Sequence, residues 1–157
     1  MATSLAISAA VQLRGLFSNP LDLTTPVDAL NYFGQNDLTT GTGVNQANQL
    51  YHDQRSGTPN TLDLTTGLTN AFGTNIVFTK LRTIFVRNLT TTPGITVTLD
   101  GSFWDQPGLF TASMDVPAGG IFYLSNRVNG WIVDSTFRTI TLSGAGATFD
   151  VILIGIV

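Results

Sequence analysis

Few residues in this chain could carry out acid–base chemistry, and they are widely spaced. His52 is the only histidine, and the chain contains no cysteine and no glutamate, so all ten carboxylate side chains are aspartates. Successive side chains of a strand point to opposite faces, so His52 and Asp53 would not form an imidazole–carboxylate pair. The aspartates are dispersed in turn-like sequence, where aspartate is a common turn residue. We therefore expect no enzymatic activity and no catalytic residues.

Metal and cofactor sites are not indicated either. No pair of histidines is available for a transition metal, and no calcium loop of alternating aspartates is present. Gly41-Thr42-Gly43 lacks the third glycine of a dinucleotide fingerprint, and no lysine follows it as in a phosphate loop. The sequence thus predicts no metal and no cofactor.

Three aromatic residues leave two interpretations open. Phe103, Trp104 and Trp131 could form an exposed platform that stacks a sugar ring, or they could fill a core or an interface.

The composition favours a β-rich protein whose surface contacts other protein. Charged residues make up 11% of the chain, against about 25% in an average globular domain, while hydrophobic residues make up 43%. Threonine, which favours strands, replaces the usual lysine and glutamate. The net charge is −3 and the arginines are scattered, so we expect no nucleic-acid partner.

No membrane or export segment is recognised. The most apolar stretch, residues 151–157, is too short to span a bilayer as a helix. Residues 1–13 lack a basic start followed by a continuous apolar run. We expect a soluble protein that is made in a cytoplasm and has no membrane partner.

The first 44 residues differ from the rest of the chain. Residues 5–13 alternate apolar and small or polar side chains, which predicts a strand with one buried face. The stretch from Gly15 to Val44 predicts an irregular connection, with a short helical turn from Thr25-Pro26 to Tyr32. We interpret residues 1–44 as an extended N-terminal arm, which either wraps its own domain or reaches a neighbouring subunit.

The pattern of residues 45–157 predicts a series of short strands separated by turns. A helical turn is predicted at residues 68–72, and Asn129-Gly130 predicts a tight hairpin between the strands at 121–125 and 131–133. Eight or more strands at this spacing predict an all-β fold, an antiparallel β-sandwich that is jelly-roll-like.

The last strand is apolar on both faces. Phe149, Val151 and Leu153 form one face, and the other face consists of Ile152, Ile154 and Ile156. A sandwich strand turns only one face to its core, so the second face needs other cover. We predict an oligomer interface at these three isoleucines, and the alternative is that the N-terminal segment folds back over them.

Several runs resemble a pattern found in small structural proteins of tailed bacteriophages. The likeness extends over about residues 40–157 and is carried by residues 41–48, 51–55, 62–64, 68–73, 78–82, 116–120, 130–131 and 151–155. These are scaffold motifs. The resemblance implies a jelly-roll-like β-sandwich that assembles as a homotrimer or larger ring.

The motifs specify a virion protein better than they specify its place in the virion. We interpret the chain as a capsid decoration, or cement, protein that binds the outside of the shell and bridges capsid subunits. Its partners would be further copies of itself and the major capsid protein, and its location the capsid surface of the virion. The capsid-binding arm would use Leu5, Ile7, Val11 and Leu13. The alternative is a tail- or fibre-associated β-sandwich that binds a glycan or receptor through exposed aromatic residues.

Overall fold

The computed structural model describes residues 4–18, 27–57, 59–110 and 113–157, which form strands, turns and one 3-10 turn at Ser102–Asp105. The strands are β1 (Ile7–Ser18), β2 (Val27–Thr40), β3 (Gln46–Ala47), β4 (Gln49–Ser56), β5 (Asn60–Asp63), β6 (Leu68–Thr69), β7 (Asn75–Ile76), β8 (Lys80–Asn88), β9 (Val97–Asp100), β10 (Met114–Val116), β11 (Ile121–Ser125), β12 (Trp131–Ile132), β13 (Thr139–Ser143) and β14 (Thr148–Ile156).

Two antiparallel sheets pack face to face and form a β-sandwich. The inner sheet has the order β10-β9-β13-β5, and the outer sheet has the order β11-β8-β14-β4, with β12 also paired to β8. Alternate residues of β13 and β14, such as Ile140, Leu142 and Val151, are buried between the sheets. The prediction of an all-β antiparallel sandwich is confirmed, while the jelly-roll connectivity stays a prediction.

The predicted hairpin at Asn129-Gly130 is wrong. β11 and β12 do not pair with each other, because both pair with β8, where Ser125 faces Thr83 and Trp131 faces Leu81. They are two pieces of one edge strand, and residues 126–130 form a loop between them. Gly130 adopts the positive φ of 67° that the pattern led us to expect, but at the end of this loop.

The first 40 residues contain a long hairpin instead of an irregular connection. β1 and β2 pair antiparallel over twelve residue pairs, from Ile7 facing Leu38 to Ser18 facing Val27. The predicted irregular stretch and the helical turn reaching Tyr32 are therefore wrong where the structure describes them, since residues 27–32 belong to β2. Thr25 and Pro26 lie outside the described residues.

The helical turn predicted at residues 68–72 is also wrong. Leu68 and Thr69 form β6, which pairs with β7. The Asn70 side-chain oxygen accepts the N–H groups of Phe72 and Thr74, both at 3.0 Å, and closes the turn between the two strands.

Candidate functional site

One face of the β1–β2 hairpin is packed against the sandwich at one end and exposed at the other. This inner face carries the odd-numbered residues of β1 and the even-numbered residues of β2. Its first half lies on the outer sheet of the sandwich, and its second half is exposed. The change occurs near Ala9 and Asn36, the last cross-strand pair whose two side chains are partly buried.

The base of the hairpin is built into the molecule. Leu38 is buried in a small cluster with Ala47 and Ile154, against which Leu5 and Ile7 also pack. Burying apolar side chains here stabilises the base by the hydrophobic effect. The base is therefore part of the subunit's own packing.

Hydrogen bonds fasten the same base at its two ends. β2 pairs in parallel with β3, and the Thr40 hydroxyl donates to the carbonyl oxygen of Leu5 at 2.8 Å. Further along, the Asn36 amide donates to the Tyr123 hydroxyl at 3.4 Å, which brings the hairpin to the β11 edge of the outer sheet. The hairpin base thus crosses the outer sheet from β14 to β11.

In the distal half of the ribbon, residues 12–16 and 29–33 are exposed on both faces. On the inner face, the large apolar or aromatic side chains are Leu13, Leu30 and Tyr32, with exposed fractions of 55%, 57% and 57%. On the opposite face, Leu16 and Phe33 are exposed as well. An isolated two-stranded ribbon is marginally stable in water, and exposed apolar clusters of this kind mark interaction sites. This distal half is the candidate functional site.

An apolar cleft lies where the hairpin meets the β11 side of the outer sheet. It has a volume of about 500 Å³, and its lining residues are Ala9, Ala10, Val11, Phe85, Ile121 and Tyr123. Phe85 and Tyr123 face each other across β8 and β11, and Ile152 faces Phe85 from β14. The cleft therefore continues the apolar row that the hairpin base covers at Ile152.

Most of the predicted oligomer interface is covered within a single subunit. Ile154 and Ile156 are buried and Ile152 is half-buried in one chain, and Leu38, Leu5 and Ile7 cover part of this face. The cover that we assigned to a neighbouring subunit is supplied by the N-terminal segment folding back, which was the alternative. An interface with a second subunit at these isoleucines stays a prediction.

The predicted capsid-binding arm divides into two parts. Leu5 and Ile7 pack on the outer sheet, whereas Val11 and Leu13 are exposed. Sequence reasoning found β1 through its alternation but missed β2, whose Leu30, Tyr32 and Phe33 complete the exposed surface. The consecutive Tyr32-Phe33 pair, one on each face of the ribbon, was the available indication.

Of the two interpretations of the aromatic residues, the structure supports a core role for Phe103 and Trp104. Phe103 and Trp104 are buried in the sandwich, where the Trp104 ring stacks on Phe110 with ring centroids 4.7 Å apart. Trp131 is half-buried and packs against the core. Phe103 and Trp104 are not available to stack a sugar.

A polar cluster occupies the inner face of β4, at the open edge of the sandwich. The Tyr51 hydroxyl donates to the Asp53 carboxylate at 3.0 Å, and Arg55 donates to Asp53 at 2.9 Å and to Tyr51 at 2.9 Å. Burial raises the pKa of the Tyr51 hydroxyl. The three side chains form hydrogen bonds with one another. We therefore interpret the cluster as a structural one that covers the core at this edge.

His52 and the aspartates are not brought together into a reaction centre. His52 is exposed on the outer face of β4, opposite the Tyr51–Asp53 contact. Among the residues of the described ranges, no group of three histidine, cysteine, aspartate or glutamate side chains could hold a metal ion. Nor does any helix in the described part of the chain have the length and apolar character needed to cross a membrane.

No protein-family model, no curated protein and no solved structure matches this chain.

Proposed function

We propose that this chain is a structural protein of the tailed-phage virion, a capsid decoration protein that binds the outer surface of the assembled shell. The observation that carries the proposal is the distal half of the β1–β2 hairpin, which exposes Leu13, Leu30 and Tyr32 on one face and Leu16 and Phe33 on the other. Exposed apolar patches mark interaction sites, and an assembly protein uses such a ribbon to reach other subunits.

The composition supports the same proposal. The chain carries 7 basic and 10 acidic side chains in 157 residues. A surface so poor in charge is suited to contact with other protein, because few charged groups must be desolvated on binding. The resemblance of residues 40–157 to small tailed-phage structural proteins adds the location.

The mechanism is the addition of modest contacts. Each decoration subunit bridges neighbouring capsid subunits through a small interface, and the subunits of one oligomer bind together. Linking the sites turns the second and third binding events into intramolecular ones, which raises the overall affinity by about 10²–10⁴-fold over one contact. The shell then resists the outward pressure of the packaged genome.

Protein counting on purified virions tests the proposal. Isotope-labelled peptides of this chain and of the major capsid protein give the two copy numbers in the same digest. The expected result is a copy number comparable to that of the capsid protein. A few copies per virion would instead point to a tail or fibre protein, and absence from the virion would contradict a structural role.

A binding experiment separates the outer surface from other places in the virion. Purified chain is added to shells assembled from the capsid protein alone, and the shells are sedimented. Saturable co-sedimentation with intact shells is expected, since the binding surface is on the outside. Incorporation only during shell assembly would contradict the proposed outer location.

A further inference from the structure

We infer that the distal half of the hairpin docks on a second copy of this chain, in the apolar cleft beside its β11 strand. Three residues form the donor surface, namely Leu13, Leu30 and Tyr32. The acceptor surface consists of Phe85, Ile121 and Tyr123. The inference deepens the proposed function, on which it rests, by naming the first partner of the hairpin.

The donor surface continues a face that is already an interface within the subunit. Ile7 and Leu38 of the inner face pack on the subunit's own outer sheet, and Leu13 and Tyr32 lie further along the same face. The inner face of the hairpin packs on the outer sheet through apolar side chains at the hairpin base. Its apolar distal part is therefore suited to the same sheet in another copy. The pleat of the ribbon keeps all these side chains on one side.

The acceptor surface continues the other side of that interface. Ile152, Phe85 and Tyr123 form one row across β14, β8 and β11. The hairpin base covers the row at Ile152, while Ile121 at the β11 edge is 60% exposed. Its cleft of about 500 Å³ lies in the size range of pockets that enclose a small molecule, which is room for side chains such as Leu13 and Tyr32.

The donor surface of one copy cannot fill the cleft of the same copy. Val11 already lines the cleft, and Leu13 lies two residues further along a regular strand, about 7 Å beyond it. Leu30 lies further out again, facing Gly15. The ribbon would have to fold back on itself, which would break its ladder of cross-strand pairs.

Charge favours a second copy over a partner selected by charge. The donor surface contains no charged residue, and the one charged side chain described on the distal ribbon, Arg14, lies on the opposite face. The charged residue beside the acceptor surface is Arg87, which is exposed and faces Ile121. A strongly charged partner would find no complementary group on the donor surface. An equally apolar surface does match it, and this chain carries one.

Size favours a contact that is made twice. The described ribbon beyond Val11 is about 20 Å long and 10 Å wide, so each face offers about 200 Å². Stable interfaces bury about 800 Å² on each partner. In a closed assembly each copy both donates a ribbon and accepts one, which doubles the area to about 400 Å² on each subunit, so the closed form is more stable than a single contact.

The oligomeric state of the full chain, purified without virions, is the first test. Light scattering coupled to size-exclusion chromatography is expected to show a closed oligomer, a reciprocal dimer or a trimeric ring. Leu13→Asp should raise the dissociation constant by about 100-fold or more, because a carboxylate at an apolar interface is poorly solvated. Val77→Asp is the matched control, since Val77 is 46% exposed and belongs to neither surface. It should leave the oligomer intact.

Mixing two defective variants tests the donor–acceptor pairing itself. Leu13→Asp keeps an intact cleft, and Ile121→Asp keeps an intact ribbon, so each alone should be monomeric. Their mixture restores one ribbon–cleft contact and should associate 1:1, more weakly than the wild type does. Circular dichroism and thermal melting confirm that both variants are folded, which is expected because both side chains are exposed in one subunit.

A wild-type monomer at micromolar concentration would overturn the inference. So would a mixture that shows no association at any concentration measured, or a folded Leu13→Asp variant with an unchanged oligomer. A monomer that binds empty shells only while Leu13 is intact would assign the ribbon to the capsid protein, which also overturns the inference. The proposed function is judged separately, by copy number in the virion.

Discussion

The guanidinium group of Arg82 donates from Nη2 to the carbonyl oxygen of Gly43 at 3.0 Å, and so ties the outer sheet to the connection between β2 and β3. Arg82 is only 3% exposed. Its Nη1 donates to the carbonyl oxygens of Arg127 at 3.2 Å and Val128 at 2.6 Å, within the loop that separates β11 from β12. Burial lowers the pKa of the Arg82 guanidinium.

Replacing Arg82 by Met should destabilise the protein by about 2 kcal/mol. The substitution removes a charged donor from the carbonyl oxygens of Gly43 and Val128, and from that of Arg127, which keeps its hydrogen bond from the Asn45 N–H. Hydrogen bonds that involve a charged group contribute about 1.5–3 kcal/mol. Part of this loss is offset because the desolvated cation is also removed. Urea denaturation followed by tryptophan fluorescence measures the change.

Arg87→Met is the control for this substitution. Arg87 lies in the same strand, β8, and is exposed, so its replacement should change the free energy of unfolding by less than about 0.5 kcal/mol. Equal effects of the two substitutions would show that the Arg82 contacts contribute nothing specific.

Shortening the hairpin should remove assembly and leave the fold intact. Ala10 and Gln35 face each other, so residues 11–34 can be replaced by an Asn-Gly turn without disturbing the register below them. The base keeps its contacts with Ile154, because Ile7 and Leu38 remain. We expect a monomer with a cooperative melting transition, measured by light scattering and calorimetry. A shortened chain that still forms the wild-type oligomer would contradict this expectation.

Removing residues 1–44 entirely should have a different effect. This deletion takes away Leu38 and Leu5 and exposes Ile154, which is otherwise buried. Losing this cover should cost about 2–5 kcal/mol, comparable to large-to-small core substitutions. Urea denaturation of the two truncated chains gives the comparison. Equal stability would show that the whole arm is independent of the sandwich.

The strands of the sandwich could be predicted because burial is one-sided there. Ile140 and Leu142 alternate with half-buried threonines, and Val151 and Leu153 alternate with half-buried residues in the same way. β2 could not be predicted in this way, because its distal residues are exposed on both faces and Tyr32 and Phe33 are adjacent. Period-two alternation arises from one buried face, and this part of the ribbon has none.

The helical turn at residues 68–72 was predicted wrongly because the spacing of its apolar residues does not reflect a shared buried face. Leu68 and Phe72 are spaced as on one helix face, but Leu68 is buried and Phe72 is 82% exposed. The candidate site was predicted in part, since Val11 and Leu13 were assigned to an arm. The cleft could not be predicted, because Phe85 and Ile121 meet only through the pairing of β8 with β11.

Gly101 should be far less tolerant of alanine than Gly119. Gly101 has φ of 111°, and an added Cβ would overlap the carbonyl oxygen of Thr139, so both backbone strain and collision act. Gly119 has φ of 70° and open space around it, so alanine meets only the strain, about 1–2 kcal/mol. Gly101→Ala should lower the free energy of unfolding by at least about 2 kcal/mol more than Gly119→Ala does, as measured by urea denaturation. Similar losses would contradict the collision.

Stability should fall in acid partly through Asp63. The Thr65 hydroxyl donates to the Asp63 carboxylate at 2.7 Å and its N–H at 2.9 Å, and these hydrogen bonds lower the pKa of Asp63 below its ordinary range. A lowered pKa in the folded state contributes stability that is complete above about pH 4 and is lost as the pH falls through the folded value.

Asp63→Asn should therefore flatten the acid side of the stability profile. The amide oxygen can still accept from Thr65, so the turn persists, but its strength no longer depends on protonation at this residue. Melting temperatures measured from about pH 7 to about pH 3 give the two profiles. Asp105→Asn, at an exposed position, is the control. Parallel profiles for wild type and Asp63→Asn would contradict the assignment.

The position of β14 in the outer sheet has a consequence for the order of folding. β14 pairs with β8 on one side and with β4 on the other, so Gly155 faces Gln49 across more than a hundred residues of chain. During synthesis β4 and β8 emerge well before β14, and until then they have no central strand between them. Such non-local pairing is slow because loop-closure entropy is lost before contacts form. The hairpin, whose pairs are local, can form first. Each new chain therefore has an exposed ribbon and an incomplete sheet until β14 is added. The rate at which β14 completes the sheet then determines whether the chain assembles or aggregates.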